Sequence, residues 1–234
     1  MKYLWYAFLG IFSLGFLGAI AAGIGTLALI SHYGKDLPDY QQLKDYKPPV
    51  LTRLYAGDGR LLAEYATEKR VFVPIEFIPD LVKNAFIAAE DKNFYKHGGL
   101  DYTAIGRAGF IYAQHLMGRN VDVIGGSTIT QQVVKNFLLT NERSFERKIK
   151  EAILATRMEQ ALPKDRILEL YLNEIYLGAG TYGVGAAALY YYNKSLDELA
   201  PEEAAYLAAL PKAPNNYHPI RKKAEAKGRR DWVI

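Results

Sequence analysis

The sequence predicts a mainly α-helical protein with one N-terminal transmembrane helix and a short β-hairpin ahead of the helical domain. Three observations lead to this fold class. The stretch from Tyr3 to Ser31 carries no charged residue, which exceeds the roughly 20 apolar residues needed to cross a bilayer. Residues 51–65 have the pattern of two short strands around a glycine turn. After Pro74, helix start and stop signals follow one another nearly to the end of the chain.

The composition allows one domain of catalytic size and excludes several kinds of site. The 234 residues are 50% hydrophobic and 23% charged, enough for one sizeable core. The formal net charge of +4 fits an anionic membrane or a phosphate-bearing ligand. No DNA- or RNA-binding motif occurs, so we expect no nucleic-acid partner. The absence of cysteine excludes disulfides and thiolate metal sites, and the four histidines lack ligand spacing, so metal ligands remain unassigned.

The N-terminal apolar run has two interpretations, an uncleaved anchor or a cleaved signal peptide. Ala19-Ile20-Ala21 has the small residues of a cleavage site. The run continues through Leu29 and Ile30, however, well beyond a normal signal core, and this favours the anchor. We therefore predict a short cytoplasmic stub and anchor over residues 1–34, with the chain after Ser31 outside the cytoplasm.

A linker and a hairpin follow the predicted anchor. Residues 35–50 are polar and end in Pro48-Pro49, which indicates a linker. The domain itself is predicted over residues 51–234. Its hairpin pairs Leu51–Tyr55 with Leu61–Tyr65 around Gly57-Asp58-Gly59, and Val71–Val73 is predicted to add a third short strand.

The helices are predicted from capping residues and breakers. The first ends near Glu90, and later ones start at polar caps or at prolines. These later helices are predicted from Asp101 to Met117, Thr128 to Leu139, Ser144 to Leu162, Pro163 to Leu177 and Pro201 to Pro211, with a last one beginning near Arg221.

Two adjacent carboxylates, Glu90 and Asp91, stand at the C-terminal end of the first of these helices. The negative end of a helix dipole disfavours carboxylate charge, which suits a group that exchanges a proton near neutral pH. His97, Gly99 and Asp101 follow in a loop. The alternative is a pair of solvated acids at a frayed helix end.

A glycine loop precedes a polar helix further along the chain. Gly125-Gly126 would leave backbone N–H groups exposed at a positive helix end, an arrangement suited to phosphate. Thr128, Gln132 and Lys135 fall on one side of the helix. The alternative is a solvated face, but such faces usually mix charges, so the pattern favours ligand binding.

Arg147 and Glu151 are four residues apart on the next helix. By position alone an ordinary surface ion pair is the better interpretation. Taken with the polar helix stripe, Lys135, Arg147 and Lys148 would gather around a diphosphate with Glu151 among them.

Four motifs follow one another along the chain. They are Glu90-Asp91-x-x-Phe94-x-x-His97-x-Gly99-x-Asp101, Gly126-Ser-Thr-Ile-Thr-Gln-Gln-x-x-Lys135-Asn136, Arg147-Lys148-x-x-Glu151 and Lys164-x-x-Ile-Leu-Glu-x-Tyr-Leu-Asn173. Together they resemble the motifs of the peptidoglycan glycosyltransferase family, glycosyltransferase family 51, which occurs as the N-terminal domain of class A penicillin-binding proteins. The resemblance runs from about Pro49 to the end, and Tyr55–Leu62 resembles the bifunctional, 1A-type members. Two departures are Asn193 and Ala209, where the family usually has glycine.

The resemblance implies a lysozyme-like helical lobe with a smaller apolar lobe against the membrane. It implies polymerisation of lipid II into glycan strands, with inversion at the anomeric carbon and release of undecaprenyl diphosphate. Glu90 would be the general base, and Glu151 the second catalytic residue. Lys135, Arg147, Lys148 and Glu151 would steady the diphosphate directly or through Mg²⁺ or Mn²⁺. The substrate-binding residues implied are Asp91, Phe94, His97, Ser127, Thr128, Gln131, Gln132, Lys135, Asn136, Arg147 and Lys148.

The resemblance also implies a place in the cell. The chain would be a single-pass protein of the bacterial cytoplasmic (inner) membrane with its catalytic domain in the periplasm. Its partners would be lipid II, the growing glycan, the bilayer and other cell-wall synthesis proteins. Apolar residues between Phe110 and Ile124 would dip into the bilayer, although core burial explains some of them equally well. These residues are Ile111, Leu116, Met117, Val121, Val123 and Ile124.

Two other functions compete with the polymerase. A lytic, lysozyme-like glycan hydrolase would use Glu90 but leaves Lys135, Arg147 and Lys148 without a purpose. A non-catalytic, membrane-anchored cell-wall binding module has no use for a glycine loop over a polar helix stripe. Transpeptidation is set aside because no Ser-x-x-Lys or Lys-Thr-Gly occurs, so a transpeptidase domain would lie beyond Ile234.

Overall fold

The computed structural model describes most of the chain. The described residues are 2–35, 37–44, 46, 52–58, 61–65, 69–119, 121, 125–140, 142, 144–217, 219 and 222–234. Mainly helical structure is confirmed over this part of the chain.

The N-terminal apolar run forms one long helix, α1 (Lys2–Tyr33). Its stretch Phe12–Tyr33 is long and apolar enough to cross a membrane, and its most apolar part is not buried inside the protein. Where α1 ends, Arg157 Nη1 donates to the Gly34 carbonyl at 3.3 Å. The helix therefore fits the predicted membrane anchor and contacts the domain at its C-terminal end.

The hairpin is confirmed, with β1 (Thr52–Tyr55) antiparallel to β2 (Leu61–Tyr65) and an irregularity in register at Leu54/Tyr55. Leu51 and Gly59 of the predicted hairpin lie outside the described residues. The third strand is displaced from its predicted position. A two-residue strand, β3 (Lys69–Arg70), pairs in parallel with β4 (Thr181–Tyr182).

The prediction of a strand at Val71–Val73 is wrong. The backbone of Val73 pairs with the Asn173 side chain instead of with a neighbouring strand. Asn173 Oδ1 accepts the Val73 N–H at 2.8 Å, and Asn173 Nδ2 donates to the Val73 carbonyl at 2.9 Å. The backbone polar groups of Val73 are thus satisfied without a ladder.

Eight helices follow within the described part of the chain, and the predicted caps form. Asp101, Thr128 and Ser144 each accept backbone N–H groups at the start of a helix. The helix predicted to reach Leu177 stops at Glu174, because the Leu177 N–H turns to the Thr181 carbonyl. The helices are α2 (Asp80–Glu90), α3 (Tyr102–Leu116), α4 (Ile129–Leu138), α5 (Phe145–Ala161), α6 (Lys164–Glu174), α7 (Val184–Tyr192), α8 (Pro201–Ala209) and α9 (Lys223–Val233).

Helix α6 is the centre of the core. Every residue from Ile167 to Asn173 is buried. Helix α4 packs between α5 and α6, while α2 packs on α8 and α8 on α9. This arrangement brings the C-terminal end of α2, the start of α4 and one face of α9 to a common region.

Helix α3 buries none of its residues. Of the apolar residues predicted to dip into the bilayer, Phe110, Leu116 and Met117 are exposed, whereas Ile111 and Val121 are half-buried. Val123 and Ile124 from the same prediction lie outside the described residues.

The predicted linker is packed on the domain where the structure describes it. Leu43 is buried, and the Tyr46 ring meets Phe137 edge to face at 4.9 Å between centroids. Arg166 Nη2 donates to the carbonyls of Leu43 and Tyr46 at 3.1 and 2.7 Å. Pro48-Pro49 lies outside the described residues.

Candidate active site

Glu90 is the last residue of α2, and its carboxylate faces the start of α4. Gln132 Nε2 donates to Glu90 Oε2 at 2.8 Å. Burial raises the pKa of Glu90 above its ordinary value, while the Gln132 bond and the positive charges of Arg229 and Lys135 act in the opposite direction. A carboxyl with a raised pKa is suited to proton transfer near neutral pH.

Asp91 and His97 join the end of α2 to the start of α4. Asp91 Oδ2 accepts the Ile129 N–H at 3.0 Å and faces His97 Nε2 at 2.9 Å. The Gly99 N–H donates to His97 Nδ1 at 3.2 Å, so Nε2 carries the proton that His97 donates to Asp91. Thr128 Oγ1 closes the network by donating to the Gly99 carbonyl at 2.7 Å. The network fixes where Glu90 points relative to α4.

Gly126 of the glycine loop packs tightly against α3. This contact holds the next residue, Ser127, close to the rest of the domain. A Cβ at Gly126 would lie 3.2 Å from the Ala104 carbonyl oxygen and 3.3 Å from the Ala108 Cβ. The next residue, Thr128, forms a complete capping box with Gln131. The loop therefore ends in a rigid helix start.

Three cations surround the buried carboxylate of Glu151. Lys148 Nζ contacts Glu151 Oε2 at 2.6 Å and donates to Ser127 Oγ at 2.8 Å. Arg147 Nε is 3.3 Å from Glu151 Oε1, but both atoms are buried without a hydrogen-bond partner among the described residues. Burial lowers the pKa of Lys135, and Glu151 opposes that shift. Three cations beside one carboxylate leave positive charge for an anionic ligand.

One cavity of about 940 Å³ joins the Glu90 end of α2 to this cation cluster. Glu90 and Glu151 both line this cavity. The predicted site residues that line it are Glu90, Ser127, Gln131, Gln132, Lys135, Arg147, Lys148 and Glu151.

The other predicted site residues do not line this cavity. Asp91 and Thr128 are buried behind its wall in the network described above, with His97 partly buried beside them. Phe94 is fully buried, with Lys164 Nζ 4.4 Å from its ring centroid. Asn136 is exposed on α4. Substrate contact by these five residues stays a prediction. The contacts of Asp91, His97 and Thr128 hold the end of α2 against the start of α4.

The cavity also contains residues that sequence reasoning missed. They come from the chain after α8, where the sequence predicted only the beginning of a helix. The paired basic residues Arg229-Arg230 beside Trp232 were the available signal. The added lining residues are Lys212, Tyr217, Glu225, Gly228, Arg229 and Trp232.

The described part of the chain contains no ready set of ligands for a divalent cation. No group of three or more His, Cys, Asp or Glu side chains is placed to hold a metal there. Glu151, the buried carboxylate of the cation cluster, faces Lys148 and Arg147 instead. These residues do not fit a protein-held metal, and the Mg²⁺ or Mn²⁺ expected from the resemblance stays a prediction.

Comparison with known proteins gives consistent matches. Residues 58–234 match the family model described as Transglycosylase. Penicillin-binding protein 1A of Rickettsia felis is 56% identical over 217 residues, which is 92% of this chain and 27% of that protein. Penicillin-binding protein 1A of Aquifex aeolicus is 48% identical over 222 residues, 94% of this chain and 30% of that protein. A crystal structure of Penicillin-Binding Protein 1A from Haemophilus influenzae covers 80% of this chain and 18% of its own, at 25% identity and a TM-score of 0.41. The chain thus spans less than a third of the length of these relatives.

Proposed function

The chain belongs to the transglycosylase family, and from this membership we propose that it is a peptidoglycan glycosyltransferase that polymerises lipid II and releases undecaprenyl diphosphate. One observation carries the proposal. A single cavity holds the Glu90 carboxyl, whose pKa is raised by burial, together with the cation cluster of Lys135, Arg147 and Lys148. A proton acceptor and a site for a departing anion are the two parts that this reaction needs.

Glu90 acts as the general base in the proposed mechanism. Its carboxylate takes the proton from the acceptor's 4-hydroxyl as that oxygen attacks the donor's anomeric carbon. The bond from this carbon to the diphosphate oxygen breaks on the opposite face, so the configuration inverts. The Gln132 amide, 2.8 Å from Glu90 Oε2, orients the carboxylate for this transfer.

The cation cluster stabilises the leaving diphosphate. Negative charge grows on its oxygens in the transition state, and fixed cations in a shielded cavity stabilise such charge most effectively. Lys148 is held by Ser127 and Glu151, which positions its ammonium before the substrate arrives. No step requires a metal ion held by the protein, since the cations supply the positive charge.

A glycan hydrolase is the rival enzyme, and the cavity argues against it. Hydrolysis expels a poor alkoxide leaving group and calls for a carboxylic acid beside it. Glu151, the second carboxylate of the cavity, is instead surrounded by Lys148 and Arg147. The Lys148 and Arg147 cations beside Glu151 suit an anionic ligand, which a glycan hydrolase does not have as its leaving group.

The proposed location follows from α1. An uncleaved anchor in the bacterial inner membrane would leave the domain at the periplasmic surface, next to a lipid-linked substrate. The exposed Phe110, Leu116 and Met117 of α3 and the segment after it support contact with the bilayer. The growing glycan and other cell-wall synthesis proteins are the proposed partners.

The test is polymerisation of lipid II by the purified full chain in detergent with Mg²⁺, with products separated by glycan length. We expect long polymer from the parent, none from Glu90→Gln, and parental product from Glu76→Gln, whose carboxyl is exposed and outside the cavity. Shortening of preformed glycan would identify a hydrolase. Binding of lipid II without turnover by the parent would support the binding module.

A further inference from the structure

Helix α3 carries its large apolar side chains on the outside of the domain. None of its residues is buried, and Leu116 and the following Met117 are 69% and 77% exposed. At about 100° per residue, the exposed apolar and aromatic positions fall on one half of the helix. A patch of this kind marks a contact with a membrane or with another macromolecule. Its residues are Tyr102, Ile105, Phe110, Tyr112, Leu116 and Met117.

The opposite side of α3 packs on the domain through small residues. A Cβ at Gly126 would lie 3.2 Å from the Ala104 carbonyl oxygen and 3.3 Å from the Ala108 Cβ. Ala104, Ala108 and Ile111 are half-buried, and their spacing of four and three residues puts them on one side. The apolar half of α3 therefore faces away from the domain.

The charge along α3 has one sign. No Asp or Glu occurs between Asp101 and Asp122. Arg107 and Arg119 are exposed, and neither side chain has an ion-pair or hydrogen-bond partner within the part of the chain that the structure describes. By contrast, Arg166 pairs with Glu169. Two guanidinium groups without a carboxylate are available to an external anion.

The two arginines lie at different ends of the apolar half of the helix. Arg107 is three residues before Phe110 and is therefore its neighbour on the helix surface. Gly118, with φ +79°, ends α3, and the Arg119 N–H donates back to the Gln114 carbonyl at 3.1 Å. Twelve residues at about 1.5 Å each separate the two arginines by roughly 18 Å along the helix. This spacing suits two separate anions rather than one.

The anchor decides what covers this surface. Helix α1 fits a membrane anchor, and the chain at its end is held to α5 by the bond from Arg157 to the Gly34 carbonyl, at 3.3 Å. The domain is thus held beside a bilayer. Helices that lie in a membrane interface combine an apolar side with flanking basic residues. Arginine suits this place because its stem lies along apolar surface while its guanidinium reaches the headgroups.

We propose that α3 is an interfacial helix that recognises anionic phospholipids: its apolar half enters the headgroup boundary, and Arg107 and Arg119 bind lipid phosphates. Bilayer contact by the apolar residues alone would not distinguish one lipid from another. The phosphate of phosphatidylglycerol has an uncompensated negative charge, whereas the choline of phosphatidylcholine compensates its phosphate. The two arginines therefore supply the selectivity, and this selectivity can be measured without glycan synthesis.

The test uses the full chain, reconstituted into lipid nanodiscs through α1. Because the chain contains no cysteine, Leu116→Cys can carry a single polarity-sensitive fluorophore. Spin-labelled lipid in the disc quenches this label only where α3 enters the bilayer. We expect strong quenching in discs containing phosphatidylglycerol and weak quenching in discs of phosphatidylcholine alone. A label at Glu76→Cys, exposed outside α3, should be quenched equally in the two kinds of disc.

In the Leu116→Cys background, Arg107→Gln together with Arg119→Gln should lower the quenching in phosphatidylglycerol discs to the phosphatidylcholine level. Each arginine should change the ratio of inserted to free α3 by about fivefold, the effect of one basic residue near an anionic surface. Arg107→Lys with Arg119→Lys should keep most of the quenching, since the charge remains. The matched control is Lys96→Gln with Lys223→Gln, which removes two exposed positive charges outside α3 and should retain the parental quenching.

Equal quenching of the parent in the two lipids, or parental quenching in the double arginine-to-glutamine variant, would overturn the proposal. An equal loss in the lysine control would also overturn it, because net charge and not α3 would then select the lipid. A label that becomes shielded from water without quenching by lipid would mean that a second copy of the chain covers this surface, which contradicts the proposal. Circular dichroism checks the fold of each variant, and the lipid dependence of the parent decides the question even if a variant fails to fold.

Discussion

Burial of the Glu90 carboxyl opposes the charge that a general base needs. The pKa of Glu90 is raised chiefly because burial disfavours the carboxylate. A group whose pKa is raised on folding stabilises the fold fully at pH values below its unfolded pKa. This contribution is lost as the pH rises through the folded value. At neutral pH and above, the ionised Glu90 therefore lowers the stability of the protein in exchange for reactivity.

Glu90→Gln should consequently be inactive yet more stable than the parent at pH 8. The amide carries no charge to desolvate and is nearly isosteric with the acid. Thermal unfolding of the two proteins at several pH values measures the difference, which should shrink as the pH falls and Glu90 becomes protonated. Glu76→Gln, at an exposed carboxyl, should show no such gain. Equal stability of Glu90→Gln and parent at pH 8 would contradict the burial argument.

Individual residues could be predicted where the chemistry is encoded locally. Glu90, Lys135 and Glu151 were identified from charge, spacing and motif, and all three line the cavity. The partner of Asp91 could not be predicted, because the Ile129 N–H that it accepts is 38 residues away. Arg229 was missed for a related reason. Which face of α9 meets the cavity is decided by its packing on α8, and the residue pattern of a short basic helix does not specify it.

Helix starts were the most predictable elements, since their capping bonds join residues two or three apart. Asp101 accepts the N–H groups of Thr103 and Ala104 at 2.9 and 3.0 Å. Hydrogen bonds from Thr103 and Asn93 hold the pKa of the Asp101 carboxyl well below its usual range. A lowered pKa means that the stabilisation is present above the unfolded value and is lost as the pH falls toward the folded one.

Asp101→Ala should accordingly destabilise the domain by about 1 to 2 kcal/mol at pH 7, the usual cost of losing an N-cap. The penalty should decline below about pH 4, where the Asp101 carboxyl of the unfolded parent begins to be protonated while that of the folded protein stays ionised. Urea unfolding at pH 7 and pH 3 measures both quantities. Asp197→Ala, at an exposed aspartate, serves as the control. A penalty that is equal at the two pH values would argue against the carboxylate as the cap.

The contact between the loop after α2 and helix α5 depends on a glycine. Gly99 has φ +100°, and a Cβ there would lie 2.7 Å from the Ala155 carbonyl carbon and oxygen. Gly99→Ala should cost at least about 2 kcal/mol, from backbone strain and from displacement of α5. The adjacent Gly98→Ala is a matched control, since nothing lies within 4 Å of a Cβ at that position. Because the Gly99 carbonyl accepts from Thr128, Gly99→Ala should also reduce activity more than Gly98→Ala does. Equal unfolding midpoints for the two variants would contradict this account.

A positive φ also explains one departure from the family pattern. Asn193 ends α7 with φ +53° and ψ +41°, in the left-handed region where the family usually has glycine. Asparagine adopts this conformation more readily than most residues. Element ends that depend on long-range partners were less predictable. Val71–Val73 has the composition of a strand, yet Asn173, 100 residues away, satisfies Val73 instead of a neighbouring strand.

On the scale of the whole molecule, the order of anchor, hairpin and helices follows from the sequence, but the contact between the anchor and the domain does not. Residues 35–50 are polar enough to be predicted as a linker. In the structure Leu43 is buried in the core, and Arg166 binds the carbonyls of Leu43 and Tyr46. This docking needs a groove formed jointly by α4 and α6, which no local pattern encodes.

Leu43→Ala tests whether this docked segment restrains the anchor against the domain. Removing a buried leucine side chain should cost about 2 to 4 kcal/mol. Arg157 holds the chain at Gly34, Arg166 holds it at Tyr46, and the buried Leu43 lies between these two points. Loss of the Leu43 contact should therefore also expose residues 37–46 to protease in the full chain in detergent. Gln41→Ala, at an exposed position of the same turn, should change neither stability nor cleavage. If both variants are cleaved at the parental rate and Leu43→Ala leaves the unfolding free energy unchanged, the segment is a flexible linker that does not dock on the domain. Faster cleavage of Leu43→Ala alone would mean that the anchor and the site-bearing helices are held together by this short stretch.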